Sequence, residues 1–107
     1  MAFTEKYVEG ALAVADLANQ QGWLLLELGT NWCGHCAVAQ APLKHALQPH
    51  PTLTHIKEED GPGRPLGRHF RVKLWPTLIL LKNGAEVARS VRPTTEAGIE
   101  GLLEHLA

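Results

Sequence analysis

Leu24-Leu25-Leu26-Glu27-Leu28-Gly29, followed by Thr30-Asn31-Trp32-Cys33-Gly34-His35-Cys36, is the stretch on which the fold turns. From Trp23 to Leu28, five of six residues are apolar, the pattern of a short strand buried on both faces in the middle of a sheet. Gly29 ends it, and residues 33–48 then form a helix, with Pro42 inside it and Pro49 and Pro51 closing it. Two thiols three positions apart can close a small disulfide ring. At a helix N-terminus the first cysteine meets unpaired backbone N–H groups and the positive end of the dipole, and both favour the nucleophilic thiolate. Cys33 would attack a disulfide and Cys36 would resolve the mixed disulfide. Glu27 is the anomaly in the strand. A charge there is costly unless neutralised or paired, so the expectation is a buried carboxyl of raised pKa, with Lys57 on the next strand as its partner; the alternative is a rim charge facing solvent.

Working outward, Thr4 can cap a helix carrying Val8, Ala11, Leu12, Ala15 and Ala18 at helical spacing, with an exit near Gly22. Residues 52–57 make a modest strand, 58–65 a loop rich in Gly and Pro, and 66–70 a helical turn. Residues 77–81 are a strand apolar on both faces. Asn83-Gly84 is a strong hairpin signal, with 86–91 as the return strand. Thr94 can cap a last helix whose stripe is Ile99, Leu102, Leu103 and Leu106. This order, α-β-α-β then β-β-α, implies an α/β fold: a central mixed sheet with helices on both faces.

The 107 residues allow one domain, 1–107. A formal charge of −1 speaks against general nucleic-acid binding. It conceals a polarity: residues 1–63 hold three basic and seven acidic side chains, residues 64–107 seven basic and four acidic. Two cysteines are too few for a disulfide-stapled secreted domain. The start lacks a secretory pattern, and no segment approaches the ~20 apolar residues of a membrane span, so a soluble cytoplasmic monomer is expected. Zinc needs about four ligands, and no second cysteine pair exists, so no metal is expected.

Three features in order resemble the thioredoxin superfamily: Trp32-Cys33-Gly34-His35-Cys36 after a strand, the acid Glu27 six residues before Cys33, and Trp75-Pro76-Thr77 leading into an apolar strand with a Lys82-Asn83-Gly84 turn. The resemblance implies the thioredoxin fold, a cis Trp75-Pro76 bond, and exchange between the Cys33-Cys36 pair and protein or peptide disulfides without organic cofactor or metal. It implies Cys33 as nucleophile, Cys36 as resolving thiol, Glu27 as proton carrier beside Lys57, and Trp32, Gly34, His35, Trp75, Pro76, Thr77 and Arg92 on the substrate side. An NADPH-dependent thioredoxin reductase would be the electron donor for reductive work. The Gly-His pair looks like that of protein disulfide isomerases, and a His35 imidazolium beside Cys33 would favour the dithiol and make the disulfide more oxidising.

Several departures stand out. Pro42 falls one residue later than usual, Arg92-Pro93 replaces a Gly-containing pair, and the helical N-terminus leaves room for loss of the family's first strand. The alternative is a non-catalytic thioredoxin-like binding or assembly module. Arg64, Arg68, Arg71 and Lys73, with His69, form a basic run that either steers acidic partners or is a solvated face. His45, His50, His55, His69 and His105 share no motif and read as ordinary surface or core histidines.

Overall fold

The computed structural model describes residues 2–106. A 3-10 helix (Val14–Asn19) leads into β1 (Trp23–Gly29), α1 (Gly34–Leu47), β2 (Thr54–Glu59), α2 (Pro65–His69), β3 (Thr77–Lys82), β4 (Ala85–Val91) and α3 (Glu96–Leu103). The strands form one mixed sheet in the order β2-β1-β3-β4, with β1 parallel to β2 and antiparallel to β3, and β3 antiparallel to β4. Because β1 and β3 are central and covered on both faces, nearly every position in them is apolar. On one face Leu25, Leu78 and Leu80 pack with Leu43 and Leu47 of α1 and Ile99 of α3. On the other, Leu24, Leu26, Ile79 and Leu81 meet Leu17, Leu66 and Phe70 from the 3-10 helix and α2. Pro42 lies inside α1 without ending it. Among the described residues, no helix is long and apolar enough to cross a membrane.

The N-terminal segment corrects the sequence reading. No helix starts at Thr4. Its backbone N–H groups bond to distant partners instead: Thr4 to His55 Nδ1 at 2.9 Å, Tyr7 to Asn31 Oδ1 at 2.9 Å, and Gly10 and Leu12 to the Glu58 carboxylate at 2.8 and 3.0 Å. These tertiary acceptors outcompete the local i−4 carbonyls, whose helix costs a nucleus to start. A first strand is reduced to a single parallel bridge, Val8 to Glu58, on the outer side of β2. Helical periodicity survives only in the short 3-10 helix, which buries Leu17.

Two smaller differences follow the same logic. The ladder with β1 carries β2 on to Glu59, two residues past the expected end. The cap of α3 is Thr95, whose Oγ1 accepts the Gly98 N–H at 3.4 Å, because burying Ile99, Leu102 and Leu103 together fixes that register.

Asn83 and Gly84, at φ 52° and 81°, make the tight turn that matches strand twist. The turn is also clamped to the start of β1. Asn83 N donates to Gly22 O at 2.9 Å, and Gly22 N to Asn83 Oδ1 at 2.8 Å. A Cβ on Gly84 would lie 1.9 Å from Leu17 O, whereas one on Gly10, also at positive φ, would meet nothing within 4 Å. Gly84→Ala should therefore cost about 3 kcal/mol or more, and Gly10→Ala only the left-handed penalty of about 1 kcal/mol. Urea unfolding of the two variants should show that order.

Candidate active site

The β1–α1 junction sets the two thiols in different surroundings. Cys33 is the N-cap of α1, in extended geometry, and its Sγ accepts the Cys36 N–H at 3.4 Å. Burial works against its thiolate. The Cys36 thiol, the backbone N–H groups of Cys36 and His35, and the Arg92 charge outweigh that and draw Cys33 below the ordinary thiol value. Cys36, one turn into the helix, is buried, and burial with the neighbouring Cys33 pushes it up to about 11, against a lowering hydrogen bond from the Thr30 backbone. The pair is thus an accessible thiolate former beside a protonated reserve thiol. His35 acts on Cys33 through its backbone N–H, and its side chain is exposed; the charge of Arg92 also favours the Cys33 thiolate. Gly34 opens α1 and is exposed.

Glu27 is fully buried in β1. Among the described residues its hydrogen-bond partners are the Tyr7 hydroxyl, Gln40 Nε2 at 2.9 Å and His55 Nε2 at 2.9 Å. The His55 tautomer follows from its other contact. Thr4 N–H donates to Nδ1, so the ring proton sits on Nε2 and is donated to Glu27. Three donors therefore converge on one carboxylate. Burial disfavours the anion, but the His55 hydrogen bond, the Lys57 charge and Tyr7 outweigh it, and the carboxyl is held below its ordinary value. This corrects the expectation of a raised pKa.

Lys57 pairs with Glu27 in the β1–β2 register, but its ammonium goes elsewhere: to Gln40 Oε1 and the Glu5 carbonyl, both at 2.7 Å, and over the Tyr7 ring at 4.3 Å. Burial lowers its pKa, while Glu27, Cys36 and Glu5 pull the other way. Lys57 thus biases Glu27 by charge, while His55 is its bonded basic neighbour. His55 and Tyr7 are the site residues that sequence reasoning missed. Neither sits in a motif, and only the fold brings them to Glu27. Gly29 permits this packing, since a Cβ there would lie 2.6 Å from Cys36 Sγ and 2.9 Å from the Tyr7 hydroxyl.

On the accessible side, Trp32 is 75% exposed and meets Trp75 edge-to-face, with ring centroids 5.7 Å apart. Trp75 is half-buried, and its indole N–H donates to Asp60 Oδ2 at 2.8 Å. The Trp75–Pro76 bond is cis, as the resemblance implies. Pro76 and Thr77 are buried, and the Thr77 hydroxyl donates to the Leu74 carbonyl, so Thr77 shapes the loop from inside. Arg92, at φ 51°, fixes the same loop: its backbone N–H donates to Pro76 O and its Nε to Trp75 O, both at 2.8 Å. A groove of about 390 Å³ runs between Trp32, Trp75, Asp60 and Arg64. It shares residues 60–63 with a second hollow of about 330 Å³, walled by Arg68, Arg71 and Lys73. Thr30, at the groove's floor, has a buried hydroxyl without a hydrogen-bond partner among the described residues. No three His, Cys, Asp or Glu side chains gather as metal ligands would, among the described residues.

Comparison with known proteins gives this geometry its setting. The family model described as Thioredoxin matches residues 9–105. The structure of thioredoxin 2 from Pseudomonas aeruginosa PAO1 in its reduced form is similar at a TM-score of 0.86 and 46% identity, over 97% of this chain and 96% of that one. Thioredoxin from Chlamydia trachomatis is 38% identical over 73 residues, covering 65% of this chain and 69% of that protein. A protein disulfide-isomerase from Hordeum vulgare is 29% identical over 97 residues; this chain spans only 18% of its length. The chain belongs to the thioredoxin family. It is an oxidoreductase of that family, with a Cys-x-x-Cys pair at the head of α1.

Two variants test the electrostatics. Glu27→Gln turns an acceptor of three donors into a group with an N–H of its own, leaving a buried donor unpaired. It should lower stability by about 1–3 kcal/mol at neutral pH. Because the folded pKa is depressed, the wild-type advantage is complete above the ordinary carboxylate value and fades as pH falls through the depressed one; thermal melts across acidic pH measure it. Arg92→Gln removes the charge acting on Cys33 and should slow its alkylation near neutral pH by about two- to fivefold, a modest factor because the site is partly open to solvent.

Proposed function

We propose that the protein exchanges its Cys33–Cys36 dithiol with disulfides of protein or peptide substrates, working as a reductase. The observation that carries this reading is the split between the two thiols: Cys33 at the helix end and below its ordinary pKa, Cys36 buried and up at about 11. Cys33 thiolate attacks one substrate sulfur, and the other leaves as a thiolate. Cys36 gives up its proton toward Glu27, attacks Cys33 Sγ and expels the second substrate sulfur. The substrate disulfide gains two electrons and the chain's dithiol loses them.

The reductive direction follows the thioredoxins among its relatives, and an NADPH-dependent thioredoxin reductase is the fitting electron donor. A reducing compartment such as the cytoplasm suits that role, and a monomer leaves the groove open. The substrate chain would lie along Trp32 and Trp75 toward the wall of Arg68, Arg71 and Lys73, which are exposed. Arg64 already carries Glu9 and Glu59, at 2.6 and 3.1 Å. Acidic residues flanking the substrate disulfide complement that wall.

Turbidity during insulin reduction with dithiothreitol tests the exchange. Wild type should accelerate precipitation, and Cys33→Ser should abolish the acceleration; an equal rate in the variant would refute the reading. Peptide disulfides flanked by Asp or Glu should react faster than those flanked by Lys at low salt, with the gap narrowing as salt shortens the screening length toward about 8 Å. Arg68→Glu with Lys73→Glu should reverse that order while sparing a small neutral disulfide. Like rates for acidic and basic peptides at low salt would remove the charge-steering role.

A further inference from the structure

The proton that Cys36 must lose has no direct path to Glu27 in the hydrogen-bond pattern, since the partners of that carboxylate among the described residues are Tyr7, Gln40 and His55. One of these, the Tyr7 hydroxyl, also faces the Cys36 thiol, and the two side chains line one cavity. They meet over the Cα of Gly29, where a Cβ would stand 2.6 Å from the sulfur and 2.9 Å from the phenol oxygen. Tyr7 is held there from three sides. Its backbone N–H donates to Asn31 Oδ1 and its carbonyl accepts from Asn31 Nδ2 at 3.0 Å, while the Lys57 ammonium caps its ring.

Resting on the exchange reading above, we infer that Tyr7 is a catalytic proton bridge: its hydroxyl takes the proton of the Cys36 thiol while handing its own to the Glu27 carboxylate.

The step balances within the site. In the mixed disulfide, the Cys36 S–H bond breaks and a Tyr7 O–H bond forms. The original Tyr7 proton moves to Glu27, and the Cys36 electron pair forms the bond to Cys33 Sγ. The Cys33–substrate bond breaks and its pair leaves on the substrate sulfur. No free tyrosinate forms, which agrees with burial and the Glu27 charge holding the Tyr7 pKa far above its ordinary value. The titratable and charged groups facing Tyr7 are Glu27 from β1, Cys36 from α1 and Lys57 from β2. Gln40 and Lys57 line a cavity of about 170 Å³ that also touches Cys36 and Tyr7 and has Glu5 at its rim. This cavity gives the proton a way out between turnovers. Gln40, donating to Glu27 and accepting from Lys57, connects the carboxylate to it.

Rapid mixing of the reduced protein with the aromatic disulfide dithiobis-nitrobenzoate separates the steps. The first release of chromophore reports attack by Cys33 and the second reports attack by Cys36. Tyr7→Phe should leave the first phase within about twofold and slow the second about tenfold or more near neutral pH, the scale of a lost proton-transfer group. The deficit should close as pH rises, where Cys36 loses its proton to solvent unaided. Tyr7→Phe combined with Glu27→Gln should be no slower than the slower single variant, since both interrupt one path. Tyr7 is the chain's single tyrosine, so biosynthetic fluorotyrosine changes this phenol's acidity alone while keeping its shape; the second phase should then shift by about twofold or more with the first unchanged.

An unaltered second phase in Tyr7→Phe, a deficit equal at every pH, or indifference to fluorination would overturn the bridge. In each of these cases wild-type insulin reduction would remain, whereas its absence would overturn the exchange reading itself. If Tyr7→Phe melts well below wild type, the fluorotyrosine protein alone decides.

Discussion

A carboxylate on the central strand, shut away from water, has to be met by donors, and that requirement decides where much of the site stands. Glu27 draws its three donors from three parts of the chain: Tyr7 from the N-terminal segment, Gln40 from α1 and His55 from β2. Each is committed a second time. Gln40 accepts from Lys57 and donates to the Cys36 carbonyl at 2.7 Å. His55 accepts from Thr4 N–H, and its carbonyl takes the Thr4 hydroxyl at 2.5 Å. Removing one partner from such a network costs the desolvation of whatever is left unpaired, not just one net hydrogen bond. The network thus binds the N-terminal segment, the sheet and α1 into one unit around the thiols.

How much of this was legible in the sequence depends on the range of the forces involved. Local signals held. The two apolar strands, the helix headed by Cys33, the Asn83-Gly84 hairpin and the stripe of α3 rest on burial periodicity and turn chemistry that neighbouring residues specify. The N-terminal segment failed because its apolar spacing is helical while its amides are claimed by Glu58, Asn31 and His55, all far along the chain. Glu27 is legible as a buried charge and Lys57 as a charge beside it, but the hydrogen-bonded neighbour is not. Lys57 had the right register and an obvious charge, yet its ammonium was drawn to Gln40 and a carbonyl. His55, on the same strand two residues earlier, carried no distinguishing pattern.

The loop opposite the thiols shows a different constraint. Arg92 occupies a left-handed backbone conformation that usually favours glycine. The side chain that glycine would lack reaches back to the Trp75 carbonyl, and the backbone N–H of the same residue extends the β3–β4 pairing to Pro76. One residue therefore closes the cis-proline loop and places a positive charge near Cys33. The backbone cost of the conformation is offset by two hydrogen bonds and by favouring the Cys33 thiolate. Positive charge at this end of the site is supplied by Arg92, the residue just after β4.

The two halves of the site pose an energetic question that the reaction itself resolves. In the resting dithiol, passing a proton from Cys36 to Glu27 runs uphill, because the thiol sits at about 11 and the carboxyl below its ordinary value. Every pKa unit between them costs about 1.4 kcal/mol. This gradient keeps Cys36 protonated while Cys33 waits for substrate. Once Cys33 is tied up in a mixed disulfide, the neighbouring thiol that helped to raise Cys36 is gone. As the new S–S bond forms, the sulfur's developing charge is consumed. Protonating Glu27 also removes a buried anion, and burial is the largest single influence acting on that group. In the proposed exchange, a gradient that blocks premature loss of the Cys36 proton would thus be relieved at the step that requires it, with the covalent state of Cys33 as the switch.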